Sequence, residues 1–190
     1  MSTLRFNTWQ NTGGTEAATA SEVSAYSFTE PALQLVTTAT LSSVNTVQID
    51  NCFSSVYKSY RVLLGATADK NCTLYIYGRS GGTTDTTGPY RFGRYYVGAG
   101  GSVTAGSNNY TNYGAGWVGD GSTIPYFGVV DIHNPYEAVN TNFTVITSGR
   151  TLAVSGTVVE TSTQYDSLVF IADSSGLLTG TVRIYGYKDS

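Results

Sequence analysis

Gly176-Leu177-Leu178-Thr179-Gly180-Thr181-Val182-Arg183-Ile184-Tyr185-Gly186-Tyr187-Lys188 alternates as a strand does. Val182, Ile184 and Gly186 point to one side, and Arg183, Tyr185 and Tyr187 to the other. The stretch closes the sequence, where fraying is expected unless a sheet ties it down. An upstream segment echoes it: Cys72-Thr73-Leu74-Tyr75-Ile76-Tyr77-Gly78-Arg79 repeats the Ile-Tyr-Gly core after a Thr and an aliphatic residue. The two read as strands of one antiparallel body, and the echo makes them sheet-mates.

Composition supports an all-β chain. Of 190 residues, 41% are hydrophobic and only 12% charged, about half the usual charged share. There are 22 Gly and 15 Tyr but a single Met and four Pro. Thr, Tyr and Val favour strands, Gly and Asn supply turns, and the good helix formers are scarce. The length suits one domain with a real core. A net charge of −3 with no basic cluster argues against nucleic-acid binding. No apolar run reaches membrane-spanning length, and no signal peptide is expected at the N-terminus. Cys52 and Cys72 do not make a disulfide framework; they read as buried free thiols, with a bond between them left open.

Along the chain, residues 1–25 stand apart. They are polar, with widely spaced Leu4, Phe6 and Trp9, and Asn11 to Gly14 is a turn signal. Such an arm cannot bury itself. It reads as an anchoring arm whose Leu4, Phe6 and Trp9 dock on another subunit or protein, or else as a disordered tail. Residues 26–190 read as a β-sandwich domain. Leu33–Val36 and Val44–Ile49 are expected strands. Phe53, Val56, Tyr57 and Tyr60 fall at i, i+3, i+4, i+7, the spacing of one helix face, which predicts a short helical or 3₁₀ turn. Arg61–Ala66 and Leu74–Arg79, either side of Asp69-Lys70-Asn71, predict an antiparallel hairpin. Residues 80–123, rich in Gly, Thr, Asn and Tyr, read as long loops. Strands follow at 124–133, 142–147, 153–160 and 168–172. This rhythm is that of a sandwich or jelly roll.

Few residues suggest catalysis. The one histidine, His133, lies near Asp131 on the same strand face, but no Gly-x-Ser-x-Gly elbow is present. Asp85, Asp120, Asp131, Glu137, Glu160 and Asp166 show no spacing that singles out a glycosidase pair. No His/Cys cluster or Asp-x-Asp-x-Asp loop points to a metal. The chain reads as a non-enzyme with no catalytic residue, cofactor or metal. The better signal is the aromatic set Tyr90, Tyr95, Tyr96, Tyr110, Tyr113 and Trp117, interleaved with Asn108, Asn109, Asn112 and Asp120. Flat aromatics cover the C–H face of a sugar, and amide side chains match its hydroxyls. Tyr, Gly, Ser and Asn also dominate antibody paratopes. The competing reading is that these rings pack against a neighbouring subunit or each other.

Two groups of segments carry a resemblance. Ser2-Thr3-Leu4-Arg5-Phe6-Asn7-Thr8-Trp9-Gln10-Asn11-Thr12-Gly13-Gly14-Thr15 resembles the short leader of phage tail-fibre-like proteins. Leu41-Ser42-Ser43-Val44, Asp50 to Val62, and Thr179-Gly180-Thr181-Val182-Arg183-Ile184-Tyr185-Gly186-Tyr187 are similar to a widespread tailed-bacteriophage virion structural β-domain. The resemblance covers about a third of the chain, and nothing catalytic comes with it. It implies an exterior virion protein, made in the bacterial host cytoplasm, often trimeric, in the tail apparatus (fibre, spike or baseplate) or, alternatively, decorating the capsid. Its partners would be other copies in a homotrimer, other virion proteins such as baseplate or major capsid protein, and host surface glycans; neither nucleic acid nor membrane insertion is expected. A free carbohydrate-binding module is the further alternative. Closing an exposed sheet edge against a neighbour suits symmetric assembly, and Arg183, Tyr185 and Tyr187 become candidate subunit contacts.

Overall fold

The structure, a computed structural model, describes residues 8–10, 16–19, 33–86, 88–97, 101–110, 116–121, 125–149 and 152–188; at 8–10, 16–19, 108–110, 116–121 and 126 it describes the backbone. The chain divides into two units, residues 1–32 and 33–190. In the first, β1 (Thr8–Gln10) pairs antiparallel with β2 (Glu16–Thr19). Leu4 and Phe6 lie outside the described residues, as does the side chain of Trp9.

The second unit is an all-β antiparallel sandwich. Its strands are β3 (Leu33–Val44), β4 (Thr46–Ile49), β5 (Ser59–Ala68), β6 (Cys72–Ser80), β7 (Thr83–Thr84), β8 (Tyr90–Val97), β9 (Val103–Tyr110), β10 (Gly116–Gly121), β11 (Tyr126–His133), β12 (Thr141–Ser148), β13 (Leu152–Val159), β14 (Ser167–Ala172) and β15 (Leu178–Tyr187). One eight-stranded sheet has the order β3-β15-β5-β11-β12-β13-β8-β9. A five-stranded sheet has the order β10-β6-β14-β4, with β7 attached to β6.

Period-two patterning explains the large sheet. In β5, Tyr60, Val62, Leu64, Ala66 and Ala68 are buried and the residues between them are not. β15 does the same with Val182, Ile184 and Gly186, as its sequence predicts. These side chains meet Leu74, Ile76, Leu168 and Phe170 from the smaller sheet in one core. β14 is a nearly continuous apolar run, buried on both faces, as a strand covered from both sides should be.

Two glycines let β15 fit. A Cβ on Gly180 would overlap the Gly65 carbonyl oxygen on β5, and one on Gly186 would overlap the Tyr57 ring. At the corner between β3 and β4 the Asn45 amide nitrogen donates to the carbonyls of Ala172 (2.7 Å) and Gly176 (3.2 Å). That pins the point where the chain changes sheets to the turn that precedes β15.

Several expectations are corrected. The segment 53–60 is not helical: Phe53 and Tyr60 are buried, but Val56 is 70% exposed. Tyr60 belongs to β5, and its hydroxyl accepts from Ser54 N (2.7 Å) and donates to Ser54 O (2.9 Å), so the segment is a clasped loop. β5 and β6 are not a hairpin. The turn at 69–71 carries the chain from one sheet to the other, so β6 pairs with β10 and β14 while β5 pairs with β15 and β11. The echoing strands β6 and β15 therefore belong to different sheets. β3 continues unbroken from Leu33 to Val44, past the expected stop at Val36. Residues 80–123 contain β7, β8, β9 and β10 where long loops were expected. Cys52 and Cys72 are free and buried.

Candidate functional site

The structure separates the described members of the aromatic set. Tyr90 is only 1% exposed. Its ring stands edge-on to Tyr77 (centroids 6.3 Å apart), and its hydroxyl donates to the Asp85 carbonyl. Tyr90 is therefore a core residue and not a glycan contact: β8 turns its even-numbered residues inward. Tyr165 donates to Asp85 Oδ2 at 2.5 Å, and Gly88 N donates to Oδ1 at 3.1 Å. Burial, followed by the charge of Asp85, raises the Tyr90 phenol above its ordinary range. Burial and the hydrogen bond to Asp85 do the same for Tyr165. Tyr96 is half-buried on the inward side of β8, with the Arg94 guanidinium 5.1 Å from its ring centre. Tyr95 points the other way and is 66% exposed. The backbones of Asn108 and Tyr110 lie in β9 and that of Trp117 in β10, opposite Tyr75; their side chains, and all of Tyr113, lie outside the described residues.

What the structure does bring together is the outer face of the eight-stranded sheet. Register fixes its rows. One row runs Arg183, Leu63, Val129, Ile146, Val154, Tyr95 from β15 to β8. Beside it run Thr181, Gly65, Phe127 and Ser148, continued by Leu152 and Val97 on β13 and β8. Phe127 is 64% exposed, Leu152 52% and Val103 on β9 71%. Scattered apolar residues are normal on a surface, but a contiguous band of them marks an interaction site. Gly65 leaves an open groove of about 560 Å³ whose walls include Leu63, Phe127, Val129, Thr181 and Arg183. Sequence reasoning missed this band because its members lie on several strands, each contributing one or two residues.

The next rows along the same face are polar. Arg61 Nε and Nη2 each donate to Asp131 at 2.8 Å. Tyr187 completes the group: its hydroxyl donates to Asp131 Oδ1 at 3.3 Å, and the Arg61 guanidinium sits 5.6 Å from its ring centre. The Arg61 bonds hold the Asp131 carboxyl below its ordinary range. Two of the candidate subunit contacts thus differ in kind. Tyr187 is tied to its own chain, whereas Arg183 is exposed with no ion pair among the described residues. Tyr185 stands opposite Arg61 on this face.

His133 Nδ1 lies 2.9 Å from Ser59 Oγ, a pairing that only the β5–β11 register reveals. Asp131 is committed to Arg61 and is not bonded to His133, so no Ser–His–acid relay is assembled. Several other carboxylates hold separate structural posts. Glu160 pairs with Arg91 at 2.7 Å. Asp166 accepts from Ser167 Oγ at 2.6 Å and Gly81 N at 3.0 Å, and Asp50 pairs with buried Arg79. Among the described residues no group of His, Cys, Asp or Glu could hold a metal ion, and no helix is long and apolar enough to cross a membrane.

No protein-family profile matches the chain, and neither does any curated protein. Among solved structures, the chain is similar to a peanut lectin with a 9mer peptide, at 10% identity and a TM-score of 0.27, over 87% of this chain and 96% of the lectin chain. A score that low carries no argument about function.

Proposed function

We propose that the protein is a non-enzymatic structural component on the outside of a tailed-phage virion, placed in the tail apparatus as part of a fibre, spike or baseplate. The N-terminal segment, with Leu4, Phe6 and Trp9, anchors it to another virion protein. The sandwich forms a homotrimer. Tyr110, Tyr113 and Trp117 meet a host surface glycan. The observation that carries this reading is the division between the first 32 residues and the sandwich, which falls beside the leader-like segment of the sequence. The resemblance of Asp50 to Val62 and of the β15 segment to phage β-domains supports it from a separate part of the chain.

The test is removal of residues 2–16. The truncated chain is expected to remain a soluble folded sandwich and to be missing from particles assembled in its presence; normal incorporation overturns the anchor. Copy number per particle separates tail from head, because a decorating capsid protein would be present in hundreds. A glycan array comparing wild type with Trp117→Ala and Tyr113→Ala tests the glycan contact, and no binding by wild type removes it.

A further inference from the structure

The outer face of the large sheet contains glycines that its own fold does not require. Gly93 and Gly156 are direct partners on β8 and β13. A Cβ at either would meet nothing within 4 Å, and neither has a left-handed φ. Glycine inside a strand weakens it unless something approaches closely. Their row continues across the same face to Thr144, Asp131, Arg61 and Tyr185. One half of the row is therefore a dent, and the other half is raised by long side chains.

The neighbouring rows repeat this asymmetry. Gly65 lines a groove on the β5 side, flanked by the Phe127 ring, while Leu152 projects on the β13 side. Arg183 stands at one end of its row and the exposed Tyr95 ring at the other. A rotation axis parallel to the strands, between β11 and β12, maps each row onto itself in reverse. It sets Tyr185 over Gly93 of the neighbour, Arg61 over Gly156, Leu152 into the Gly65 groove, and Arg183 over the Tyr95 ring, where a cation is favoured. No like charges meet in these pairs, and the apolar rows meet apolar rows. The area also fits. Six adjacent strands at ~4.8 Å spacing and ~27 Å length present roughly 800 Å², about what one partner contributes to a standard stable interface.

We infer that the outer face of the eight-stranded sheet is a self-association surface whose occupant is a second copy of this chain, with the β15–β5–β11 half of one copy set against the β13–β8 half of the next. The same pairing of halves closes as a two-fold dimer or, with the faces turned inward, as a three-fold prism. The inference sharpens the homotrimer within the proposed function but does not rest on a virion location, because its test uses the purified protein.

The full chain is examined by sedimentation equilibrium at micromolar concentration. Wild type is expected at two or three times the chain mass of 20.2 kDa. Gly156→Phe fills the dent, and its Cβ meets no atom of its own chain within 4 Å; it should keep the circular dichroism spectrum of wild type and sediment as a monomer, as should Ile146→Asp. Wild type that stays monomeric overturns the inference and assigns the face to another occupant. Gly156→Phe that keeps the wild-type mass overturns the pairing of halves. Gly65→Cys and Leu152→Cys chains, mixed and oxidised, should form a cross-linked dimer that neither gives alone; equal cross-linking of either variant by itself overturns the arrangement.

Discussion

The ring of Tyr57 lies directly on the backbone of Gly186, in the space a Cβ would occupy. The Tyr57 hydroxyl donates to Gln34 Oε1 at 2.6 Å, and its ring stands edge-on to Tyr60 with centroids 5.7 Å apart. The loop before β5 is thereby fastened to the end of β15 and to β3. Gly186→Ala must displace that ring, and overpacking of this kind costs about 1–3 kcal/mol. Urea denaturation of the variant should show that loss, with Tyr57→Ala in the same background removing most of the difference. Equal stability of Gly186→Ala and wild type would show that the ring moves freely.

Thr157 offers the opposite sign. It is buried on β13, and its hydroxyl has no hydrogen-bond partner among the described residues. A buried polar group without a partner costs about 1–3 kcal/mol, and replacing it with an apolar group of the same shape is neutral or stabilising. Thr157→Val is expected to raise the denaturation midpoint or leave it unchanged. A clear fall in the midpoint would mean that the hydroxyl has a partner.

The Arg61–Asp131 pair predicts an acid limb of stability. The folded Asp131 pKa lies below the ordinary value. Its contribution is therefore full above the unfolded pKa of about 3.9 and is lost as pH falls through the lower folded value. Both partners are partly exposed, so the effect is small and screened by salt. Stability measured from pH 6 to pH 2 should fall less steeply for Asp131→Asn than for wild type. Parallel profiles would remove Asp131 from the acid response.

Burial pushes the Cys52 thiol up to about 12, so almost none of it is thiolate at neutral pH. Iodoacetamide at pH 8 should leave Cys52 unmodified in the folded protein and alkylate both cysteines in urea, as read by mass spectrometry. Rapid modification of Cys52 without denaturant would mean that the segment 50–54 opens locally.

Most of the strands could be read from alternation or apolar runs. β15, β12 and β13 carry the period-two signal because one of their faces is core and the other is outside. Sheet membership could not be read. The turn at 69–71 suits a hairpin as well as a corner, and the choice was made by distant partners, β15 for β5 and β14 for β6. The helical spacing of Phe53, Val56, Tyr57 and Tyr60 was coincidence, since Tyr60 answers to the β5 pattern and Tyr57 to the space over Gly186. β8 hid among apparent loops because both of its faces carry aromatic and charged residues. The apolar band was invisible for another reason: its neighbours are set by register, with Val129 on β11 beside Ile146 on β12.

β15 lies between β3 and β5 in the large sheet. During synthesis β3 and β5 emerge first, and the gap between them stays open until β15, far along the chain, arrives to fill it. Long-range closure of this kind is slow and leaves strand edges open in the meantime. The largest sheet is therefore completed only once β15 has been made, and truncation within β15 would leave two unsatisfied edges instead of one shortened end.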